Sequence, residues 1–387
     1  MNPADADRHV GTAAAYVHIP FCSSICPYCD FAVVAGRDDI AERYIAAVCA
    51  EIASSTPWRP LDAVYFGGGT PSHVDARRLA SVLQALDRTH GIAGGAEVSL
   101  EANPEDFTVE KGHALRSAGF NRVSFGGQSF DEAVLRELGR RHRPDQIGTS
   151  VAAAAAAGFG SISVDLIYGT PGETDASWGS SLEAAVGLDL HHISCYALTV
   201  ERGTPLGRAV GAGAPSPDPD TQAERYQVAE AVLGSAGFGR YEVSNWARPG
   251  HECRYNLTVW AQGEYEAYGN GAHGFRSGRR FRNHRRLDAY MERVEAGASP
   301  RAGEEVVEGW EAELDRLFVG LRRAGGVRHG PGTAALVSSG DGERLMEAGV
   351  LVDDGERLRV LRPLLTDAVH RSVLGLDAPN VKGDGDA

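Results

Sequence analysis

Long hydrophobic runs are missing from this chain. Nowhere do apolar residues approach the roughly 20 in succession that a membrane-spanning helix needs, and 43% hydrophobic with 23% charged residues is a globular balance. An excess of positive charge is missing too. The formal net charge is −14, which argues against nucleic acid as a partner, because phosphate binding calls for clustered Lys and Arg. A local exception, GRRFRNHRR from Gly278 to Arg286, reads as a solvated surface. The N-terminal stretch MNPADADRHVGTAAA holds neither the basic region nor the apolar core of a secretory signal. Cysteine is scarce, six in 387 residues, and three of the six are clustered, unlike the disulfide framework of small secreted domains. Together these absences predict a reducing, cytoplasmic setting with no membrane span. Contact with a membrane surface stays open.

What is present is a repeating pattern. Short β-rich runs at Ala14–Ile19, Ala63–Gly68, Glu97–Ala102, Arg122–Gly127, Ser161–Gly169, His191–Leu198 and Gly239–Asn245 alternate with Ala-rich helical stretches, among them Val109–Ala118 and Asp175–Val186. Strands separated by helices mean βα units and a parallel sheet. The fold class is therefore α/β, a partial TIM-like barrel over residues 14–250 after a short tail, 1–13. Residues 251–303 read as a connecting segment. From 304 to 375 the pattern changes to helices around a hairpin near Asp353–Gly355, which predicts a small helical, winged-helix-like domain, and residues 376–387 read as a disordered tail. That domain lacks a basic recognition stripe, so packing or partner contact fits it better than DNA.

The densest chemistry lies in HIPFCSSICPYCDFAV, where Cys22, Cys26 and Cys29 stand in C-x3-C-x2-C spacing on a loop just after the first strand. Three thiolates so close together predict a metal site. Zinc is the competing reading, but a structural zinc normally takes four protein ligands, and neither His18 nor Cys49 sits at a zinc-finger spacing. A 4Fe-4S cluster accounts for three: each thiolate holds one iron, and the fourth iron keeps an open position for a small chelating molecule.

Further polar motifs fall at successive strand ends, where a βα barrel gathers its ligand-binding residues. YFGGGTP brings Gly67, Gly68, Gly69 and Thr70, Glu101 stands in LEANPE, Gln128 in GGQSF, Arg140 in LGRRH and Asp165 in SVDLIYGTPGET. Each also has a plain structural reading: Glu101 and Gln128 can cap a helix or turn, and Arg140 can be a solvated charge. Asp165 interrupts an apolar run, where a carboxylate needs a partner. Taken together they supply a cation for a carboxylate and an acid for ribose hydroxyls, the equipment for a nucleoside–amino acid conjugate.

In this order the motifs resemble the branch of radical S-adenosylmethionine proteins that contains anaerobic coproporphyrinogen III dehydrogenase and the haem chaperones of the HemW type. The resemblance implies that Cys22, Cys26 and Cys29 ligate the cluster. It also implies that Tyr16, Tyr28, Gly68, Gly69, Thr70, Glu101, Gln128, Arg140 and Asp165 contact S-adenosyl-L-methionine. Phe31, where the dehydrogenase has a further cysteine, and the short stretch before Ala14 favour the chaperone side. On that side haem is held for an acceptor protein such as a respiratory enzyme, with an electron donor such as a flavodoxin or ferredoxin. The rival reading is an enzyme whose 5′-deoxyadenosyl radical acts on a porphyrinogen or another substrate. The chaperones' H-N-x-x-Y-W motif for haem is altered here to YNLTVW, so Tyr255 stands where the histidine would be. Tyr255 is the expected substitute ligand, provided a positive charge such as Arg254 helps its phenol to ionise, with His251, Cys253 and His273 as other candidates.

Overall fold

The computed structural model describes residues 11–378. Six parallel strands follow one another along the chain: β1 (Ala14–Ile19), β2 (Leu61–Gly68), β3 (Ile92–Ala102), β4 (Arg122–Gln128), β5 (Ser161–Tyr168) and β6 (His192–Ala197). Each pairs in parallel with the next, with helices in the connections. β5 shows why. Seven of its eight residues are buried, the near-continuous burial of a strand covered on both faces. The helices begin where the sequence provides caps. Thr108 accepts from the Lys111 amide at the start of Val109–Ala118, and Gly119 ends that helix at φ 112, a cap worth about 1 kcal/mol.

Two expectations change. The run Gly239–Asn245 is not one strand but two short antiparallel ones, β7 (Gly239–Arg240) and β8 (Asn245–Ala247), with β8 against β6. The buried Glu242 carboxylate causes the break, accepting from the Ser244 amide at 2.8 Å and from the Asn245 side chain. Residues 251–303 are also more than a connection. β9 (Tyr265–Tyr268) lies parallel to β1 on its far side, and β10 (His273–Arg276), β11 (Arg279–Asn283) and β12 (Arg301–Val306) extend the sheet antiparallel. The sheet thus has twelve strands in the order β12-β11-β10-β9-β1-β2-β3-β4-β5-β6-β8-β7. Among the described residues its edge strands β12 and β7 do not pair with each other, so the barrel is open.

A separate apolar core, around Leu317, Leu336, Leu358 and Val369, marks the C-terminal unit. Its three-stranded sheet, β13 (Val327–Arg328), β14 (Leu351–Asp353) and β15 (Arg357–Val360), carries the expected hairpin. This unit docks on the barrel through the Ala324 amide on the Tyr241 carbonyl at 2.9 Å and an Arg280–Asp315 ion pair. Of the expected N-terminal tail, residues 1–10 lie outside the described residues. Ala13 is buried, and its amide donates to Asp62 Oδ2 at 2.9 Å. Most of the expected tail 376–387 lies outside them as well.

Candidate metal and nucleoside site

The loop after β1 is closed at its base by a parallel pairing of Phe21–Cys22 with Val34–Ala35. Two side chains then hold its returning end. His18 Nε2–H donates to the Ala32 carbonyl at 3.0 Å, and Asn270 Nδ2 donates to the same oxygen at 3.2 Å. Burial drives the His18 imidazole down to about 4, so it is neutral, and with Nε2 protonated its Nδ1 accepts from the Tyr16 hydroxyl at 3.1 Å.

Cys22, Cys26 and Cys29 line one cavity of about 400 Å3 at the carboxyl ends of the strands, a volume suited to a small ligand. None is in a disulfide. Thr70 Oγ1 donates to Cys22 Sγ at 3.7 Å and Arg140 Nη1 to Cys26 Sγ at 3.3 Å. Burial raises the Cys22 thiol to about 11 and raises Cys29 as well. A cation or metal is what would hold such thiols ionised. Among the described residues no three His, Cys, Asp or Glu side chains converge on one metal ion. A four-iron cluster asks for adjacent sulfurs on different irons rather than convergent ones, and the three thiols that face this cavity suit it.

The same cavity is lined by Tyr28, Gly68, Gly69, Thr70, Glu101, Gln128, Arg140 and Asp165, brought together from five successive strand ends and the loops after them. Glu101 accepts from Tyr65 Oη at 2.8 Å and from the Gly68 amide at 3.1 Å. Burial, with the charge of Asp165 adding to it, lifts the Glu101 carboxyl to about 7 against those bonds. Asp165 Oδ1 accepts from Ser194 at 2.6 Å and from Ser124 at 3.0 Å, and burial raises it too. Arg140 Nη2 donates to Asn103 Oδ1 at 2.7 Å and to the Gly126 carbonyl at 2.9 Å, while its buried Nε is left unpartnered. Gln128 stands at φ 63 beside a register shift in β4, a strained conformation of a kind that gathers at functional sites.

The glycine segment has its amides committed. The amides of Gly68, Gly69 and Thr70 are spent on Glu101, the Ile19 carbonyl and the Phe21 carbonyl at 3.1, 2.8 and 2.8 Å. Carbonyls and the Thr70 hydroxyl are what it can offer a ligand. Glycine is needed for packing: at Gly68, with φ +108, a Cβ would stand 2.3 Å from the His18 ring, and at Gly69 2.7 Å from backbone.

Two expected residues stand outside the lining. Tyr16 bonds His18 and lies 6.3 Å from the Tyr65 ring, and Tyr255 stacks on Tyr65 at 5.1 Å and on Tyr16 at 5.9 Å. The charge invoked for Tyr255 is also turned elsewhere, because Arg254 donates to the Gly95 carbonyl. Burial, with Tyr265 and Tyr16 adding to it, holds the Tyr255 phenol well above its ordinary range. Tyr255 is part of an aromatic wall, and these surroundings oppose the phenolate that an iron ligand requires. Residues missed in the sequence are the neutral ones: Asn103, which links Arg140 to Thr70 at 3.2 Å, and Ser124 and Ser194. For Ser124 and Ser194 the signal was inward alternation along strands already recognised, while Asn103 lies just past the end of β3.

A model of the radical SAM superfamily matches residues 16–185. A relative named heme chaperone HemW from Mycobacterium tuberculosis is 39% identical over 93% of this chain and 94% of its own length. The chain belongs to the HemW family of radical SAM proteins. Another member, from Synechocystis, is 38% identical over 89% of this chain and 85% of its own. Among solved structures, coproporphyrinogen III oxidase HemN from Escherichia coli covers 96% of this chain and 92% of its own with a TM-score of 0.80. At 21% identity that likeness establishes the shared α/β fold. Among the described residues no helix is long and apolar enough to cross a membrane.

Proposed function

We propose that this protein is a haem chaperone that holds a 4Fe-4S cluster on Cys22, Cys26 and Cys29, binds S-adenosylmethionine beside it, and passes haem to an acceptor protein. The observation that carries the reading is similarity over 93% and 89% of this chain to proteins named for that role, joined to a cavity whose three thiols and polar groups suit the two cofactors. When bound, the cluster would supply an open iron for the amino and carboxylate groups of S-adenosylmethionine and an electron. The protein's own groups do the rest. The Arg140 guanidinium, on the cavity wall, supplies positive charge for a carboxylate. Glu101 and Asp165 accept hydroxyl protons of a ribose, and the carbonyls at Gly68 and Gly69 receive an ammonium. Gln128 orients what lies between them.

Phe31, 64% exposed on the cysteine loop, offers no thiol for porphyrinogen chemistry. Haem is cargo in this reading. The test is transfer: haem-loaded protein is mixed with an apo haem protein on the other side of a dialysis-free assay such as native electrophoresis with haem staining. Movement of haem into the acceptor supports the proposal, and retention by every acceptor tried, respiratory apoproteins included, contradicts it.

A further inference from the structure

The antiparallel extension of the sheet has no part in the cavity described above, yet one of its faces has the makings of a porphyrin site. Tyr265 pairs with Phe275, Phe275 with Arg280, and His273 with Arg282. Because alternate residues share a face, Tyr265, Phe275, His273, Arg280 and Arg282 all stand on one side. It is the concave side: Ala14 pairs with Tyr265, and Tyr16, two residues on, pairs with Tyr65, whose ring lines the cavity.

Along this face Arg280 is committed to Glu305 at 2.7 Å and to Asp315. Among the described residues Arg282 has no ion pair, and Arg285 reaches only the Asp30 backbone carbonyl, next to the exposed ring of Phe31. His273 is exposed at the head of β10, and neither ring nitrogen has a hydrogen bond among the described residues. Partial burial and the charges of Arg282, Arg280 and Arg285 keep its imidazole below the ordinary histidine range, so a lone pair is available at neutral pH. An imidazole with a free lone pair, the unpaired Arg282 guanidinium, Arg285 with no carboxylate partner and a partly buried aromatic floor of Phe275 and Tyr265 match a flat dianion with a Lewis-acidic centre. Ferric haem is such a molecule: its iron takes imidazole nitrogen, and its two propionates suit guanidinium forks.

We propose that His273 is the axial ligand to haem iron, with the porphyrin lying over Phe275 and Tyr265 and its propionates on Arg282 and Arg285. Binding replaces a water or chloride on ferric iron by the imidazole nitrogen, with no change of oxidation state. His273 is exposed at the end of this face, as a carrier that must release its cargo requires. It also explains how Tyr255 can replace the family histidine on the helix Arg254–Trp260: Tyr255 packs edge-on against Tyr265 at 5.8 Å and on Tyr16 and Tyr65, on the same side of the sheet, where it walls the face and needs no phenolate. This inference rests on the haem-cargo reading.

The full-length, anaerobically reconstituted protein is titrated with haemin and the Soret band is followed. The parent chain is compared with His273→Gln, with the double variant Arg282→Glu/Arg285→Glu, with Tyr255→Phe and with His273→Cys. His273 is a surface residue, so its replacement spares the fold. The parent saturates. His273→Gln binds about tenfold or more weakly, about 1.4 kcal/mol, and loses the imidazole-ligated spectrum. His273→Cys converts it to a thiolate-ligated one, the charge reversal weakens binding without changing the ligation spectrum, and Tyr255→Phe matches the parent. A parent that saturates beside a His273→Gln variant of equal affinity and spectrum overturns the assignment and leaves the chaperone reading standing. A parent that shows no saturable binding overturns the chaperone reading itself.

Discussion

A methyl group at position 68 would occupy space already filled by the His18 ring, 2.3 Å from Cε1. Gly68→Ala therefore tests how β2 is coupled to the cysteine loop. Two costs add. The first is conformational: at φ +108 an L residue loses about 1–2 kcal/mol, and nothing can relieve it. The second is steric. To make room the imidazole must leave both of its partners, the Tyr16 hydroxyl at 3.1 Å and the Ala32 carbonyl at 3.0 Å, at about 1 kcal/mol each. The total, about 3–4 kcal/mol, is a large share of the 5–15 kcal/mol that typically separates folded from unfolded chains. About a quarter of it falls on the Ala32 anchor that positions the cluster loop. Iron and sulfide per folded chain after anaerobic reconstitution, read beside urea unfolding, should therefore both fall.

Gly67→Ala is the control. Its Cβ would meet the Tyr65 ring at 2.9 Å and Glu101 Oε1 at 3.0 Å, not His18. That variant should load iron like the parent and bind S-adenosylmethionine less tightly. Gly68→Ala loading iron at the parent's level would refute the coupling through His18.

Four further outcomes are expected. Cys22→Ala, Cys26→Ala and Cys29→Ala should each abolish the visible iron–sulfur absorbance, while Cys49→Ala, whose thiol lies 3.9 Å from Ser81 Oγ, should keep it; four irons per chain without Cys26 would contradict the ligand set. Arg140→Ala removes a cationic donor from Cys26 Sγ and should move the cluster's reduction potential to more negative values in a spectroelectrochemical titration, since hydrogen bonds and charge at the sulfurs set that potential. Asp165→Asn keeps the shape but not the charge, and should weaken S-adenosylmethionine binding in equilibrium dialysis without changing iron content. Glu101 titrates near 7 because burial disfavours its charge. A raised acid contributes stability that is full below the ordinary carboxylate range and is lost as pH rises through about 7, so the stability of Glu101→Gln relative to the parent, without cofactors, should increase between pH 5 and pH 8. A pH-independent difference would remove burial as the cause.

The sequence made the βα repeat legible because period and punctuation agreed. Val109–Ala118 and Asp175–Val186 begin after capping threonines and have the expected bounds. The cysteine spacing and strand-end motifs placed eleven site residues on one cavity for the same reason: a parallel sheet sends all its carboxyl ends to one side. The rest depended on long-range pairing. β9 is four residues long and finds β1 across some 250 residues of chain, and no local signal announces that. Tyr16 and Tyr255 looked like ligand contacts on motif position, and the folded chain stacks both with Tyr65 outside the cavity lining. The amides of the glycine segment were spent on neighbours that only the folded register brings near. SVDLIYGTPGET also mixed two roles. Asp165 faces the cavity, whereas Glu173 braces the turn by accepting from the Gly169 amide at 2.8 Å and pairing with Arg225 at 2.7 Å.

In the proposed function this radical SAM fold carries a tetrapyrrole rather than converting one. The most direct measurement incubates the anaerobically reconstituted protein with reductant and S-adenosylmethionine, giving it haemin in one arm and coproporphyrinogen III in the other, and analyses both pigments by chromatography. Haem should bind at a fixed ratio and be recovered unaltered, with coproporphyrinogen untouched. Decarboxylated porphyrinogen in the second arm, or haem that never binds in the first, would contradict the proposed function.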